Sequence, residues 1–283
     1  MAWDRGIYLT QYTAENPAKL DYFLQKAKET GINTFIVDHD YMSSRYAATI
    51  AKIKAAGIKT VARVVVFSDG GNAQKVKSPA FWESRYKYVE DAIKAGVDVI
   101  QLDYIRYSSK SPANPQHAKD VHEVIKWFKE KINAYNVPME IDIFGEVSYY
   151  PSLHIGQDIE LFANSVDGVN PMVYPSHFWP YQEYSAQPYN TINKSLNALV
   201  DKFDDKPPFK VHAFIEAVNY HYIKKTSNAE KQKYLLQEIR AVEDADGVSG
   251  WYVWSANNVY DNLFEVLKNN KTKMTDETRT AQR

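Results

Sequence analysis

The chain has 283 residues, 45% of them hydrophobic and 24% charged, a bulk composition that fits a globular protein and excludes collagen-like, disordered and transmembrane organisation. Thirty-four Lys plus Arg against 35 Asp plus Glu leave a net charge of -1, too balanced for the basic footprint of a nucleic-acid partner. The lack of cysteine removes disulfides, thiol nucleophiles and thiolate metal sites. No apolar run approaches the roughly 18 residues of a membrane span, and Met1-Ala2-Trp3-Asp4-Arg5 lacks the basic start and apolar core of a signal peptide. The expected location is secreted or cell-envelope if a signal has been removed, and cytoplasmic otherwise. The 21 Tyr and 6 Trp supply flat amphipathic surfaces that stack on sugar rings as readily as they fill a core.

A β-branched or aromatic run followed by a loop and an amphipathic helical pattern recurs eight times. The strands are expected at Gly6–Gln11, Thr34–Asp40, Thr60–Phe67, Val97–Ile105, Met139–Glu146, Gly168–Pro175, Lys210–Val218 and Ser249–Ala256. The intervening helices space their apolar residues three and four apart, as in Leu20, Phe23, Leu24 and Ala27, or Val121, Val124, Ile125, Phe128 and Ile132. Trp82, Tyr86 and Val89 are core by the same spacing. Several helices end in glycine directly before the next strand, at Gly31, Gly57 and Gly96, where a left-handed residue closes the helix.

Eight βα units of about 35 residues are the arithmetic of a single closed (β/α)8 barrel. The rival open sheet needs a glycine-rich phosphate turn after its first strand, and Leu9-Thr10-Gln11-Tyr12-Thr13 has no glycine. One domain is expected from residue 3 to 270, with 271–283 a disordered tail.

A barrel forms its active site at the C-terminal ends of its strands. There the sequence places Asp38-His39-Asp40, Arg63, Gln101-Leu102-Asp103 and Arg106, Glu140, Asp142 and Glu146, Asn170, Tyr174-Pro175-Ser176-His177, Glu216, and Trp251 with Trp254. Glu140, Asp142 and Glu146 are expected on one strand face. Strands buried on both faces should be nearly continuous in Val, Ile and Leu, so a carboxylate inside one is costly unless paired or used. Asp103 and Asp142 stand out on that ground. Either they close buried ion pairs with Arg63 and Arg106, or they work on a substrate at the barrel mouth.

Two carboxylates in an aromatic-lined cleft are what glycoside hydrolysis requires, one to protonate the departing oxygen and one to attack the anomeric carbon or activate water. Gly-x-Ser-x-Gly, P-loop, His-Glu-x-x-His and Rossmann patterns are absent from the sequence, and strand lysines are confined to strand starts, against a Schiff-base aldolase. No cofactor is expected. A divalent cation at Asp38-His39-Asp40, as in a metal-dependent lyase or deacetylase, is the weaker reading, since such a triplet is more often a hydrogen-bonded strand end. Tyr174, His177, Trp179 and Trp254 are the candidate sugar contacts, with Asp38, Arg63, Arg106 and Glu216 close to them. The stretch from Tyr174 to Tyr184 reads equally well as a sugar platform or a packed loop.

At these residues the chain resembles a family of bacterial domains of unknown function classed with glycoside hydrolases, (β/α)8 barrels related to the α-amylase-type enzymes. The resemblance runs in order through Gly6-Ile7-Tyr8-Leu9, Ile36-Val37-Asp38, Ala62 to Asp69, Leu102-Asp103-Tyr104-Ile105-Arg106-Tyr107, Asp142-Ile143-Phe144-Gly145, Ile155-Gly156-Gln157, Pro171 to His177 and Gly250-Trp251-Tyr252-Val253-Trp254. It implies hydrolysis of a polysaccharide or envelope glycan, with Asp103 as nucleophile and either Asp142 or Glu146 as acid. Arg63 and Arg106 would keep Asp103 ionised, and a more apolar setting would keep its partner protonated. Two departures lie near this site. Strand seven, expected to read like Arg-Pro-Trp-Leu-Gln-Asp-Phe, has alanine where the aspartate would fall, and Asp40 stands where lysine is expected. The alternative is a barrel that binds carbohydrate without cleaving it. A monomer acting on an oligosaccharide or polysaccharide is expected.

Overall fold

The computed structural model describes residues 3–217, 227–270 and 272. The expected tail lies almost wholly outside the described residues, as does Val218 at the end of the seventh expected strand. Eight parallel strands, β1 (Asp4–Leu9), β2 (Thr34–Asp38), β3 (Lys59–Val65), β4 (Val99–Asp103), β5 (Met139–Phe144), β6 (Gly168–Met172), β7 (Lys210–Glu216) and β8 (Gly250–Trp254), close in sequence order, β8 pairing back to β1. A helix follows each strand: α1 (Pro17–Thr30), α2 (Tyr46–Ala55), α3 (Pro79–Lys94), α4 (Gln116–Asn133), the single turn α5 (Ile159–Phe162), α6 (Pro188–Asp201), α7 (Asn228–Glu243) and α8 (Asp261–Asn269). The chain is therefore a (β/α)8 barrel.

The apolar stripes explain how the helices seat. Val121, Val124, Ile125, Phe128 and Ile132 of α4 are fully buried, and Leu20, Phe23 and Ala27 of α1 pack into the same shell. Trp82, Tyr86 and Val89 of α3 belong to it too. Gly31 closes α1 with a φ of 71°, a conformation that costs glycine little.

All eight strands stop two or three residues short of the expected C-terminal residue, and at β4 and β5 the reason is local. β4 ends at Asp103 because Tyr104 takes a left-handed φ of 53°. β5 ends at Phe144 because Gly145–Ser148 winds into a 3-10 turn. Glu146 therefore sits on that turn and not on one strand face with Glu140 and Asp142.

The barrel interior is layered. At its N-terminal floor Asp4 lies 2.7 Å from the Lys59 ammonium and 2.9 Å from His212 Nε2, while His212 Nδ1 lies 3.3 Å from Glu140. Burial raises the Asp4 carboxyl, but His212 and Lys59 outweigh it and hold the group at about 2. Above the floor, Ile36, Val61, Val99 and Tyr252 form an apolar layer. His212 and Glu140 thus belong to the end of the barrel opposite the mouth.

Candidate active site

The mouth is organised by strand register. β2 sets Asp38 beside Arg63 of β3, β3 sets Val65 beside Asp103 of β4, and β5 sets Asp142 beside Asn170 of β6. Arg63 is consequently buried among carboxylates. Its Nε and Nη2 donate to Asp103 Oδ2 at 3.0 and 2.6 Å, and its Nη1 donates to Asp38 Oδ1 at 2.6 Å. Burial works against the guanidinium charge, yet Asp103 and Asp38 more than offset it and push the Arg63 pKa well above its ordinary value. The guanidinium also lies 5.1 Å from the Trp254 ring and 5.6 Å from the Tyr8 ring, which stack on each other at 4.0 Å. That contact adds cation–π attraction in a desolvated setting.

The second oxygen of Asp103 is held by its neighbour: the Tyr104 N–H donates to Oδ1 at 2.6 Å. The left-handed backbone of Tyr104 accompanies that bond, an unfavourable conformation for a residue with a Cβ. Asp38 accepts from the Tyr8 hydroxyl through Oδ2, and burial, opposed by Arg63, raises its carboxyl to about 6.

Asp142 has a different environment. Gln101 Nε2 at 2.6 Å and Asn170 Nδ2 at 3.1 Å both donate to its Oδ1, and no guanidinium among the described residues bonds to it. Burial lifts its pKa well above the usual carboxylate range, and the charge of Asp103 lifts it further. Of the two residues singled out in sequence, Asp103 is in a buried ion pair and Asp142 is not. The amides of Gln101 and Asn170 gave no comparable signal, since an uncharged side chain in a buried strand looks like ordinary polar packing. Gln157 is a further bracing residue: it donates to the Asp142 carbonyl at 3.1 Å and accepts from the Phe144 N–H at 2.9 Å.

Asp103 and Asp142 line one cavity of about 660 Å³ together with Glu146, Arg63, Arg106, Tyr174, His177 and Trp254. Glu146 reaches it from the turn after β5, half-buried. Gly145 is needed beside it, because a Cβ there would meet Phe178 at 2.5 Å and the Met172 carbonyl at 2.8 Å. Arg106 donates to the Tyr107 carbonyl at 2.9 Å and lies over the Tyr104 and Phe144 rings at 4.8 and 5.0 Å, so it lines the wall while Arg63 grips Asp103. Tyr174 is buried, with the His177 ring edge-on at 5.3 Å.

Three other candidates stand apart from the cavity wall. Trp179 is 71% exposed and lies outside the lining. Asp38 sits behind Arg63. Glu216 accepts from the Ser176 N–H at 3.2 Å and the Ser176 hydroxyl at 3.0 Å, anchoring the loop after β6. Burial pushes Glu216 up to about 8, and it pushes Glu238 of α7 well above its ordinary value with help from the Glu216 charge.

The triplet Asp38-His39-Asp40 is split by strand alternation. His39 leaves the barrel to meet Asp91 of α3 at 2.7 Å and stacks on Tyr46 at 4.0 Å, and Asp40 is exposed. Among the described residues no group of three or more His, Asp or Glu is arranged to hold a metal ion. No helix among them is long and apolar enough to cross a membrane.

The barrel is similar to several solved structures. The endo-1,4-beta-mannanase from Rhizomucor miehei superposes with a TM-score of 0.70 at 12% identity, covering 100% of this chain and 96% of that one. The spore cortex-lytic enzyme SleL of Bacillus cereus gives 0.62 at 10% identity, covering 96% and 76%, and the chitinase from Chromobacterium violaceum gives 0.61 at 11%, covering 95% and 98%. At these identities the likeness is one of fold. A comparison with curated proteins finds no match. Residues 74–260 match the model of the domain family DUF4015, described as "Putative glycosyl hydrolase domain"; that match spans more than half of the chain and takes in β4 to β8 with both buried carboxylates, and the chain belongs to that family.

Proposed function

We propose that this protein is a glycoside hydrolase in which Asp103 is the nucleophile and Asp142 the acid/base, acting on a polysaccharide or cell-envelope glycan. The observation that carries the reading is the contrast between two carboxyls that line one cavity from adjacent strands. Asp103 takes two guanidinium N–H bonds, whereas Asp142 takes amide bonds only and is pushed toward its protonated form by burial and by the charge of Asp103. Neighbouring carboxyls with partners this different divide the roles, one to attack and one to donate a proton. The Asp142 proton passes to the departing glycosidic oxygen as an Asp103 oxygen bonds to the anomeric carbon. Asp142 then takes a proton from the water that cleaves the glycosyl ester.

Arg63 balances the nucleophile's charge in the free enzyme, and Trp254, Tyr174 and His177 offer surfaces for the sugar ring. Neighbours named as a mannanase, a chitinase and a cortex-lytic enzyme support a polymeric or envelope glycan as substrate.

The test is a screen of wild type, Asp103→Asn, Asp142→Asn and Glu146→Gln for reducing ends released from purified glycans and for cleavage of aryl glycosides. Asp103→Asn should abolish both activities. Asp142→Asn should lose about 10²- to 10⁴-fold on glycans and far less on substrates with a good leaving group, as loss of a general acid does. If Glu146→Gln shows that pattern and Asp142→Asn does not, the acid role moves to Glu146. If no variant differs from wild type, the reading fails.

A further inference from the structure

Twelve large apolar side chains are more than about a third exposed among the described residues, and nine of them lie in the segments that follow strand C-termini. Single exposed apolar groups are ordinary on a protein surface. Their concentration on one face of a barrel is not, because loops there have no packing reason to favour aromatics over polar residues.

The positions fall in two arcs. One follows β5 and β6 and contains Tyr149, Tyr150 and Leu153, then Trp179 and Tyr181. The other follows β8, β1 and β2 and contains Val259, Tyr12 at 69% exposure, Tyr41 and Met42. In a closed barrel of eight strands in sequence order, β1 is four places from β5 and β2 four places from β6. The arcs are therefore on opposite sides of the mouth.

Each arc is continuous with the cavity. On one side Tyr181 is itself part of the cavity lining. On the other, Trp254 of the lining stacks on Tyr8, and Asn258 Oδ1 accepts from the Thr10 N–H at 3.1 Å, tying the β8 loop to the β1 segment that carries Tyr12. Gln11 then fastens the Tyr41 loop by donating to the Tyr41 carbonyl at 2.9 Å and accepting from the Asp40 N–H at 2.8 Å. The second arc is thus held in place by hydrogen bonds between loops.

We infer that the two arcs are sugar-stacking platforms on either side of the bond to be cut, so that the enzyme takes an internal segment of a long glycan chain laid across the mouth. A site that trims chain ends needs platforms on one side only. The inference rests on the glycosidase reading for the cut itself, but not for the binding.

The test uses the full chain in an Asp103→Asn background, with chitosan, β-1,4-mannan and peptidoglycan sacculi as probes and retention on each probe as readout. The double variants Tyr12→Ala/Tyr41→Ala and Tyr150→Ala/Trp179→Ala remove one arc each. Tyr135→Ala, exposed beyond α4 on another face, is the control. Each double variant should weaken retention on the bound polymer by about tenfold or more, and the control should not.

With the wild-type nucleophile, an internal cut also predicts a rapid fall in polymer length while few reducing ends have been released. Retention lost only through the β5–β6 arc, equal retention of all variants, or retention of none on any probe would overturn the inference. Retention that depends on both arcs without any release of reducing ends would leave the platforms standing and overturn the glycosidase reading.

Discussion

Glu216 permits a quantitative test of the electrostatics behind the site. Its carboxyl accepts two bonds from Ser176, and burial outweighs them to raise its pKa from 4.5 to about 8. The folded state therefore binds this proton more tightly than the unfolded chain does. The resulting stability is complete below pH 4.5 and is lost as the pH rises through about 8. At about 1.4 kcal/mol for each tenfold change in proton affinity, the loss approaches about 5 kcal/mol at pH 9.

Glu216→Gln keeps an oxygen to accept from Ser176 and has no charge to bury. Its melting temperature should match wild type at pH 5 and exceed it by about 10–20 °C at pH 9, since 1 kcal/mol moves a domain of this size by about 2–4 °C. Glu238→Gln should move in the same direction, because burial and the Glu216 charge both raise the Glu238 carboxyl. Thermal melts by circular dichroism at pH 5, 7 and 9 measure this directly. A Glu216→Gln protein that melts below wild type at pH 9, or by the same difference at pH 5 and pH 9, would refute the reasoning.

Arg63→Leu strands two buried carboxylates, and should cost about 3–5 kcal/mol, read as a lower denaturant midpoint; Asp38→Asn alone should cost less, since its one remaining oxygen still accepts from Arg63 and no buried charge is left unpaired. Gly145→Ala places a Cβ against Phe178 and the Met172 carbonyl, so kcat/KM should fall while the far-ultraviolet spectrum is unchanged. If Asp142 donates the proton, the activity–pH profile should carry a descending limb displaced above the usual carboxylate range, because activity needs the protonated form and burial raises its pKa. Asp142→Asn should remove that limb from any residual aryl-glycoside activity.

Much of this architecture is legible in the sequence because the signals are local. Gly31, Gly57 and Gly96 end helices with positive φ where the next strand begins, and the alternation of strand and helix follows from them. Asp103 and Asp142 stand out because charge inside a doubly buried strand is expensive.

What is hidden depends on register or on turns. Glu146 belongs to a β-prone run, and only the 3-10 turn beginning at Gly145 takes it off the strand. Gln101 and Asn170 become partners of Asp142 through the pairing of three strands, which no single segment reveals. Glu216 reads as a mouth carboxylate, yet it faces Ser176. Glu140 reads as a strand polar like the rest, and its position near the strand start carries it to the floor with His212, Asp4 and Lys59.

That floor has a consequence for how the molecule can change. Its ion cluster closes one end of the barrel, and Ile36, Val61, Val99 and Tyr252 insulate it from the carboxylates at the other. Tyr252 is the ring the two ends share, stacked on His212 at 4.8 Å and edge-on to Phe214 of the cavity lining at 5.4 Å, so substitutions that leave it in place should add in their effects on stability. The upper end can be rebuilt for a new sugar or linkage, with destabilised intermediates along the way, while the lower end continues to hold the strands in register. The apolar layer separates the part of the barrel that can be altered from the part that keeps it closed.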